Sequence, residues 1–99
     1  MAQAAEFKGV ASIIVTDEQG NFLFYYHGTC VVRYSPSKET VTLNSNGWLT
    51  VTTKRRMNQA SNQFHLGFQV VQRAGDWYVC RPGHDKMLPY HDGMSFSVA

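Results

Sequence analysis

The amino-acid sequence predicts an α+β domain: an antiparallel sheet of six or seven strands with one amphipathic helix, from about Thr53 to His65, packed on it. Two observations lead to this prediction. Short β-branched and aromatic runs alternate with Gly, Asn, Asp and Pro turns, which is the pattern of antiparallel strands. Only one segment has apolar residues at helical spacing. Ninety-nine residues suit one domain, so residues 1–99 are predicted to fold as a unit.

Turn residues divide the chain into short strands. Asn46-Gly47 is the strongest hairpin signal, so the strands on either side of it are predicted to pair. His27-Gly28 is interpreted as a bend or bulge within one long strand. Residues 82–99, with their Gly and Pro residues, are expected to be largely loop. The predicted strands are residues 10–16, 22–26, 29–34, 40–43, 48–52, 68–73, 77–81 and an edge strand at 94–98.

The predicted helix has a start signal, a buried stripe and a stop signal. Thr53 is the expected N-cap, because its hydroxyl can accept a hydrogen bond from a first-turn N–H. Met57, Ala60 and Phe64 recur at i, i+3 and i+7 and predict one buried stripe. Gly67 follows as the helix stop.

Three consecutive cations, Lys54, Arg55 and Arg56, fall in the first turn of this predicted helix. A helix N-terminus already carries partial positive charge and free N–H groups, so acidic residues are favoured there. An anion docked on those N–H groups would relieve the mismatch, and helix N-termini commonly bind phosphate. The sequence therefore predicts a phosphate site at the helix start.

The residues of this predicted site have different roles. Arg56 is expected to grip the phosphate through two hydrogen bonds, and Lys54 to supply a point charge. Asn58 would add an amide contact from the next turn, and Trp48 would stack on a base. No cofactor is predicted, and the segment lacks the Gly-rich spacing of a nucleotide-hydrolysing P-loop. The predicted ligand-binding residues are Trp48, Thr52, Thr53, Lys54, Arg55, Arg56 and Asn58.

Charge and composition limit the function classes. The net charge is +2, with three Lys and Arg against four Asp and Glu in residues 1–50 and six against three in residues 51–99. This is too little for a protein that coats nucleic acid through charge alone. Cys30 and Cys80 lie in apolar runs, which suits inert, reduced thiols. No secretory signal or apolar membrane span is recognised, so a cytoplasmic protein is expected.

Enzyme chemistry has weaker support. His84-Asp85 and His91-Asp92 form a doubled His-Asp pair that suggests a metal-dependent nuclease or phosphodiesterase, but the spacing matches no named metal site. Asp92-Gly93 also fits a simple turn. His27 lacks an identifiable carboxylate partner for a role as general base. A non-enzymatic protein is therefore predicted.

One stretch carries a family resemblance. The pattern from Leu43 to Gln59, Leu-Asn-Ser-Asn-Gly-Trp-Leu-Thr-Val-Thr-Thr-Lys-Arg-Arg-Met-Asn-Gln, resembles a family of small proteins of tailed bacteriophages and prophages. The likeness covers about two fifths of the chain, from Thr42 to Val79. Asn46 stands where the pattern has a second Gly, and both residues tolerate positive φ. The resemblance implies a phage origin and a location in the host cytoplasm, and it implies no mechanism.

Two functions follow as hypotheses. The first is a non-enzymatic protein that binds a nucleotide or nucleic acid through phosphate. Such a protein would interfere with a host pathway in an anti-defence role. The second is a protein–protein interaction module that inhibits a host enzyme, with Trp48, Arg55 and Arg56 as interface residues. A homo-oligomer is expected in either case, because exposed aromatic residues and sheet edges favour pairing of small domains.

Overall fold

The computed structural model describes residues 4–5 and 12–98, which form two antiparallel sheets and one helix. The first sheet has the order β1-β2-β3-β4-β5-β9, and the second has the order β6-β7-β8. Of the predicted first strand, Val10 and Ala11 lie outside the described residues. The elements are β1 Ala4–Ala5, β2 Ser12–Thr16, β3 Phe22–Tyr26, β4 Thr29–Ser35, β5 Thr40–Leu43, α1 Val51–Gln63, β6 Gln69–Arg73, β7 Asp76–Cys80, β8 Leu88–Pro89 and β9 Ser95–Ser97.

The α+β class is confirmed, but the prediction of one sheet with six or seven strands was wrong. The edge of β5 is occupied by β9, with Val41 opposite Phe96, so the β6–β7 hairpin that follows the helix does not join the first sheet. The β6–β7 hairpin pairs instead with β8, where Tyr78 lies opposite Pro89. The predicted edge strand near the C-terminus is therefore confirmed, and it is the element that separates the two sheets.

His27-Gly28 is a hairpin turn and not a bend in one long strand. His27 has φ of 49° and Gly28 has φ of 77°, and two positive φ values in a two-residue loop are typical of a type I′ turn. The irregularity lies further into the ladder, where the register shifts between Phe24 and Tyr25 and leaves Val31 as the extra residue of β4.

The predicted strand at residues 48–52 was also wrong. Asn46 and Gly47 have the positive φ expected of a turn, 53° and 81°. The chain then continues in turns, with Trp48 N–H donating to the Ser45 carbonyl at 3.0 Å, and enters α1. The helix starts at Val51 and ends at Gln63, two residues before each predicted boundary.

The core lies between the two sheets and the helix. Met57 and Ala60 are fully buried, and the Phe64 ring packs on Phe22 and Phe24 at centroid distances of 4.7 and 5.0 Å, so the predicted helical stripe is confirmed. Each large apolar side chain buried in this way contributes about 1.5–3 kcal/mol. None of the helices in the described residues is long and apolar enough to cross a membrane.

Side chains of the helix also form hydrogen bonds with backbone groups at the outer edge of β6. The Asn58 side chain accepts a hydrogen bond from Val70 N–H at 2.7 Å and donates one to the Val70 carbonyl at 3.0 Å. One turn later, the Ser61 hydroxyl donates to the Phe68 carbonyl at 2.6 Å. These polar residues lower helix propensity. They also bond backbone groups that a neighbouring strand would otherwise pair with.

Asn58→Ala is expected to lower the unfolding free energy by about 1–3 kcal/mol, because both polar groups of Val70 lose their partner. The matched control is Asn62→Ala, which makes the same change on an exposed position of the same helix. The control should be neutral or slightly stabilising, since Ala has the higher helix propensity. Urea denaturation measures both, and equal losses would contradict this role for Asn58.

Candidate functional site

A cleft of about 310 Å³ opens beside the start of α1, and we call it the Trp48 cleft. Trp48 has 64% of its surface exposed, which is unusual for the largest apolar side chain in a small domain. The other walls combine aromatic rings and hydroxyl groups. The lining residues are Tyr26, His27, Thr29, Val31, Ser45, Trp48, Thr50 and Thr53.

Thr50, and not Thr53, is the helix N-cap. Thr50 has the extended backbone of an N-cap, and its hydroxyl accepts a hydrogen bond from Thr53 N–H at 3.1 Å. The two hydroxyls are also hydrogen-bonded to each other at 3.1 Å. Thr53 is buried at the third helical position. Its N–H is already bonded within the helix start, so it is not the amide that a ligand would meet.

Two other amides are open at this helix start. The N–H groups of Val51 and Thr52, the first and second helical residues, have no acceptor among the described residues. The first turn contains no acidic side chain. Partial positive charge at these amides is therefore not balanced by a neighbouring carboxylate on the helix.

The three cations do not lie in the first turn, which corrects the basis of the sequence prediction. Lys54, Arg55 and Arg56 occupy helical positions four to six, where the influence of the helix dipole is already weaker. Lys54 Nζ lies 3.4 Å from Gln72 Oε1 of β6. The Arg55 side chain is exposed to solvent.

Arg56 contacts Tyr26, one of the residues that line the Trp48 cleft. Its guanidinium carbon lies 5.6 Å from the centroid of the Tyr26 ring, and its Nη1 donates to Gln59 Oε1 at 2.7 Å. A guanidinium over an aromatic face is a cation–π contact. Asn58, in contrast, is not brought to the cleft, because its amide is bonded to Val70.

The predicted His-Asp pairs form no metal centre in the part of the chain that the structure describes, where no group of three or more His, Cys, Asp and Glu side chains could hold an ion. His84, Asp85 and His91 are exposed. Cys30 and Cys80 are half-buried and not bonded to each other, and burial raises the pKa of the Cys30 thiol.

Asp92 has a structural role that the sequence did not reveal. Its Oδ1 accepts hydrogen bonds from Ser45 N–H at 2.9 Å, the Ser45 hydroxyl at 2.7 Å and the Tyr90 hydroxyl at 2.6 Å. Its Oδ2 accepts a bond from Gly47 N–H at 3.2 Å. The carboxylate thus ties the loop that carries Trp48 to the C-terminal segment. The Asp92-Gly93 pair predicted a turn, but no neighbouring residue in the sequence indicates that Asp92 bonds to Ser45 and Gly47.

These hydrogen bonds set the ionisation of both acids. Burial disfavours the charged carboxylate, but the hydrogen bonds from Tyr90, Ser45 and Gly47 outweigh it and hold the pKa of Asp92 below its ordinary value. Burial and the hydrogen bond to Asp92 raise the pKa of Tyr90 far above its ordinary range. Asp92 is therefore a carboxylate, and Tyr90 a hydroxyl donor, at neutral pH.

Asp92→Ala is expected to lower the unfolding free energy at pH 7 by about 1–2 kcal/mol, a range reduced for the exposure of the carboxylate. The folded-state pKa of Asp92 is lowered, so its contribution is complete above the unfolded-state pKa of about 4. It is lost as the pH falls through the lower folded-state pKa. Urea denaturation in both pH ranges measures this, with exposed Asp85→Ala as the control. A wild-type advantage that persists undiminished in acid would contradict this assignment.

The chain matches a family of phage proteins. No curated protein and no solved structure matches it. The family model described as Kyanoviridae Gp96 protein matches residues 1–97. This confirms the phage origin that the resemblance from Leu43 to Gln59 implied. Because the match spans nearly the whole chain, the protein belongs to the Kyanoviridae Gp96 protein family, a family of phage proteins.

Proposed function

We propose that this phage protein is a non-enzymatic binding protein for a phosphate-bearing ligand, a nucleotide or nucleic acid. The ligand's base lies in the Trp48 cleft and its phosphate on the amides of Val51 and Thr52. One observation carries the proposal: open helix N-terminal amides stand beside a cleft with an exposed tryptophan. Aromatic surface and anion-binding amides in one place match the two halves of a nucleotide.

The base half of the site is aromatic. Trp48, Tyr26 and His27 all line the cleft. A base stacked on such a ring gains about 1–3 kcal/mol. The cleft volume of about 310 Å³ is near the lower limit of small-molecule sites, so it suits one base and not a larger ring system.

The phosphate half of the site lies one turn earlier than the sequence predicted. Val51 and Thr52 supply the N–H donors, and the Thr52 hydroxyl is a third candidate donor. Arg55 lies four residues after Val51 and therefore on the same helix face, so its exposed side chain can reach toward the anion. Lys54 and Arg56 add positive potential from their bonded positions. Thr53 acts as part of the cap, and Asn58 takes no part.

The biological setting belongs to the proposal as well. Membership of a phage family supports action in the host cytoplasm, where sequestering a nucleotide would interfere with a host pathway. A homo-oligomer is also proposed, because short strand edges such as β9 offer a surface for a second copy. Sedimentation equilibrium measures the oligomeric state directly.

A second candidate function is favoured by a specific observation. Trp48, Leu49 and Val51 are 64%, 58% and 59% exposed and follow one another closely in the chain. Trp and Arg are enriched among the residues that dominate protein–protein interfaces, and Arg55 is also exposed. A module that inhibits a host enzyme would use this run. Nuclease-resistant binding of a host enzyme, lost in Leu49→Ser while mononucleotide titrations are unchanged, would favour this function over the first.

The phosphate contact is tested by Val51→Pro, which deletes one of the two amide donors. Proline is favoured at the first helical position, and Thr50, with ψ of 160°, already has the backbone that a following proline requires. Val51→Ala is the matched control, since it removes the same side chain and keeps the N–H. Tryptophan fluorescence titration with nucleoside monophosphates should show roughly 10-fold or greater weakening for Val51→Pro relative to Val51→Ala.

The corresponding nucleosides, which lack phosphate, should bind both variants equally. Equal affinities of the two variants for the monophosphates would remove the helix start from the site. No binding of any nucleotide or oligonucleotide at low ionic strength would remove the proposed function altogether.

A further inference from the structure

A second cleft, of about 330 Å³, lies on the other side of the same loop, and we call it the Leu49 cleft. It is formed between Leu49 and the second sheet, and its walls combine aromatic rings with polar groups. The residues used below are Leu49, Gln72, Asp76, Trp77, Tyr78 and Tyr90. None of them is used by the proposed mononucleotide site.

Trp77 gives this cleft an unused hydrogen-bond donor. Only 8% of its surface is exposed, and its indole N–H has no acceptor among the described residues. The ring is fixed against Tyr90 at a centroid distance of 5.3 Å, and Tyr90 is in turn held by Asp92. The indole N–H is not one of the buried polar atoms that lack a partner, so it is open to solvent and can donate to water or to a ligand in the cleft.

The two clefts are adjacent along the loop. Trp48 lines one and Leu49 lines the other, and consecutive Cα atoms are about 3.8 Å apart. The open amides of the helix start follow directly, at Val51 and Thr52. An aromatic surface, a phosphate-binding position and a second aromatic surface therefore occur together, which is the repeating pattern of a nucleic-acid strand.

We infer that the ligand is a single-stranded nucleic acid of at least two nucleotides, with neighbouring bases in the Trp48 and Leu49 clefts. The phosphate that joins them lies on the amides of Val51 and Thr52. This inference rests on the proposed function and narrows its ligand class from nucleotides in general to a strand. A modest net charge of +2 fits binding that depends on stacking more than on charge.

The charges around the Leu49 cleft indicate which part of the ligand it would hold. Asp76 lines the cleft, and its carboxylate repels phosphate but can accept a hydrogen bond from a base amino group. Lys54 Nζ lies 3.4 Å from the Gln72 side chain, which lines the same cleft, so the cation stands between this cleft and the helix start. The cleft therefore suits a base with an amino group, such as cytosine, and the phosphate belongs at the helix.

The test compares deoxycytidine monophosphate, the dinucleotide of cytosine and a six-nucleotide strand by fluorescence titration at low ionic strength. The dinucleotide should bind roughly 5- to 100-fold more tightly than the monophosphate, because a second base is stacked. Tyr78→Ala should remove most of that gain and leave the monophosphate affinity unchanged. Tyr25→Ala is the matched control, since Tyr25 is also half-buried but lines neither cleft.

The outcomes of this test distinguish failure of the strand inference from failure of the proposed function. Equal affinity for the monophosphate and the dinucleotide would overturn the strand inference and leave the proposed function in place. A dinucleotide gain that persists in Tyr78→Ala, with its circular dichroism unchanged, would also overturn it. Failure of all three ligands to bind would remove both. Saturable binding of a proline-rich peptide without oligonucleotide binding would assign the Leu49 cleft to a protein partner and overturn the inference.

Discussion

The carboxylate of Asp92 fixes the part of the molecule on which the candidate site depends. It accepts hydrogen bonds from Ser45 and Gly47, more than 40 residues earlier in the chain, and from nearby Tyr90. The loop after β5 is thereby held against the C-terminal segment and leads directly into the Thr50 cap. One acidic side chain thus holds the loop that leads into the helix start.

The fold places two different chemistries at this helix start. Trp48 and Leu49 turn to opposite clefts, and the first helical amides lie immediately after them. Positive side chains follow at positions four to six, where they are bonded to Gln72 and Gln59 or exposed. The proposed anion site therefore depends on backbone N–H groups first, with Arg55 on the same helix face and Lys54 and Arg56 adding longer-range attraction.

Local signals in the sequence predicted the strands well, because turn residues act over a few positions. Phe22–Tyr26 and Thr40–Leu43 have the predicted bounds, and Met57 and Ala60 are buried as their spacing indicated. The start of the helix was wrong because Thr50 and Thr53 are both suitable caps, three residues apart. The Asp92 contact to Gly47 and the pairing of β9 with β5 involve residues far along the chain, so local signals at residues 48–52 could not include them.

The candidate site was predicted in part for the same reason. Trp48, Thr52 and Arg55 could be named from local sequence, whereas the roles of Asn58 and Thr53 depend on Val70 and Thr50.

The most direct measurement of the central claim is an amide NMR titration with inorganic phosphate against chloride of equal ionic strength. The account predicts saturable shifts centred on the Val51 and Thr52 amides. Shifts confined to the Lys54, Arg55 and Arg56 side chains, or none beyond chloride, would contradict it.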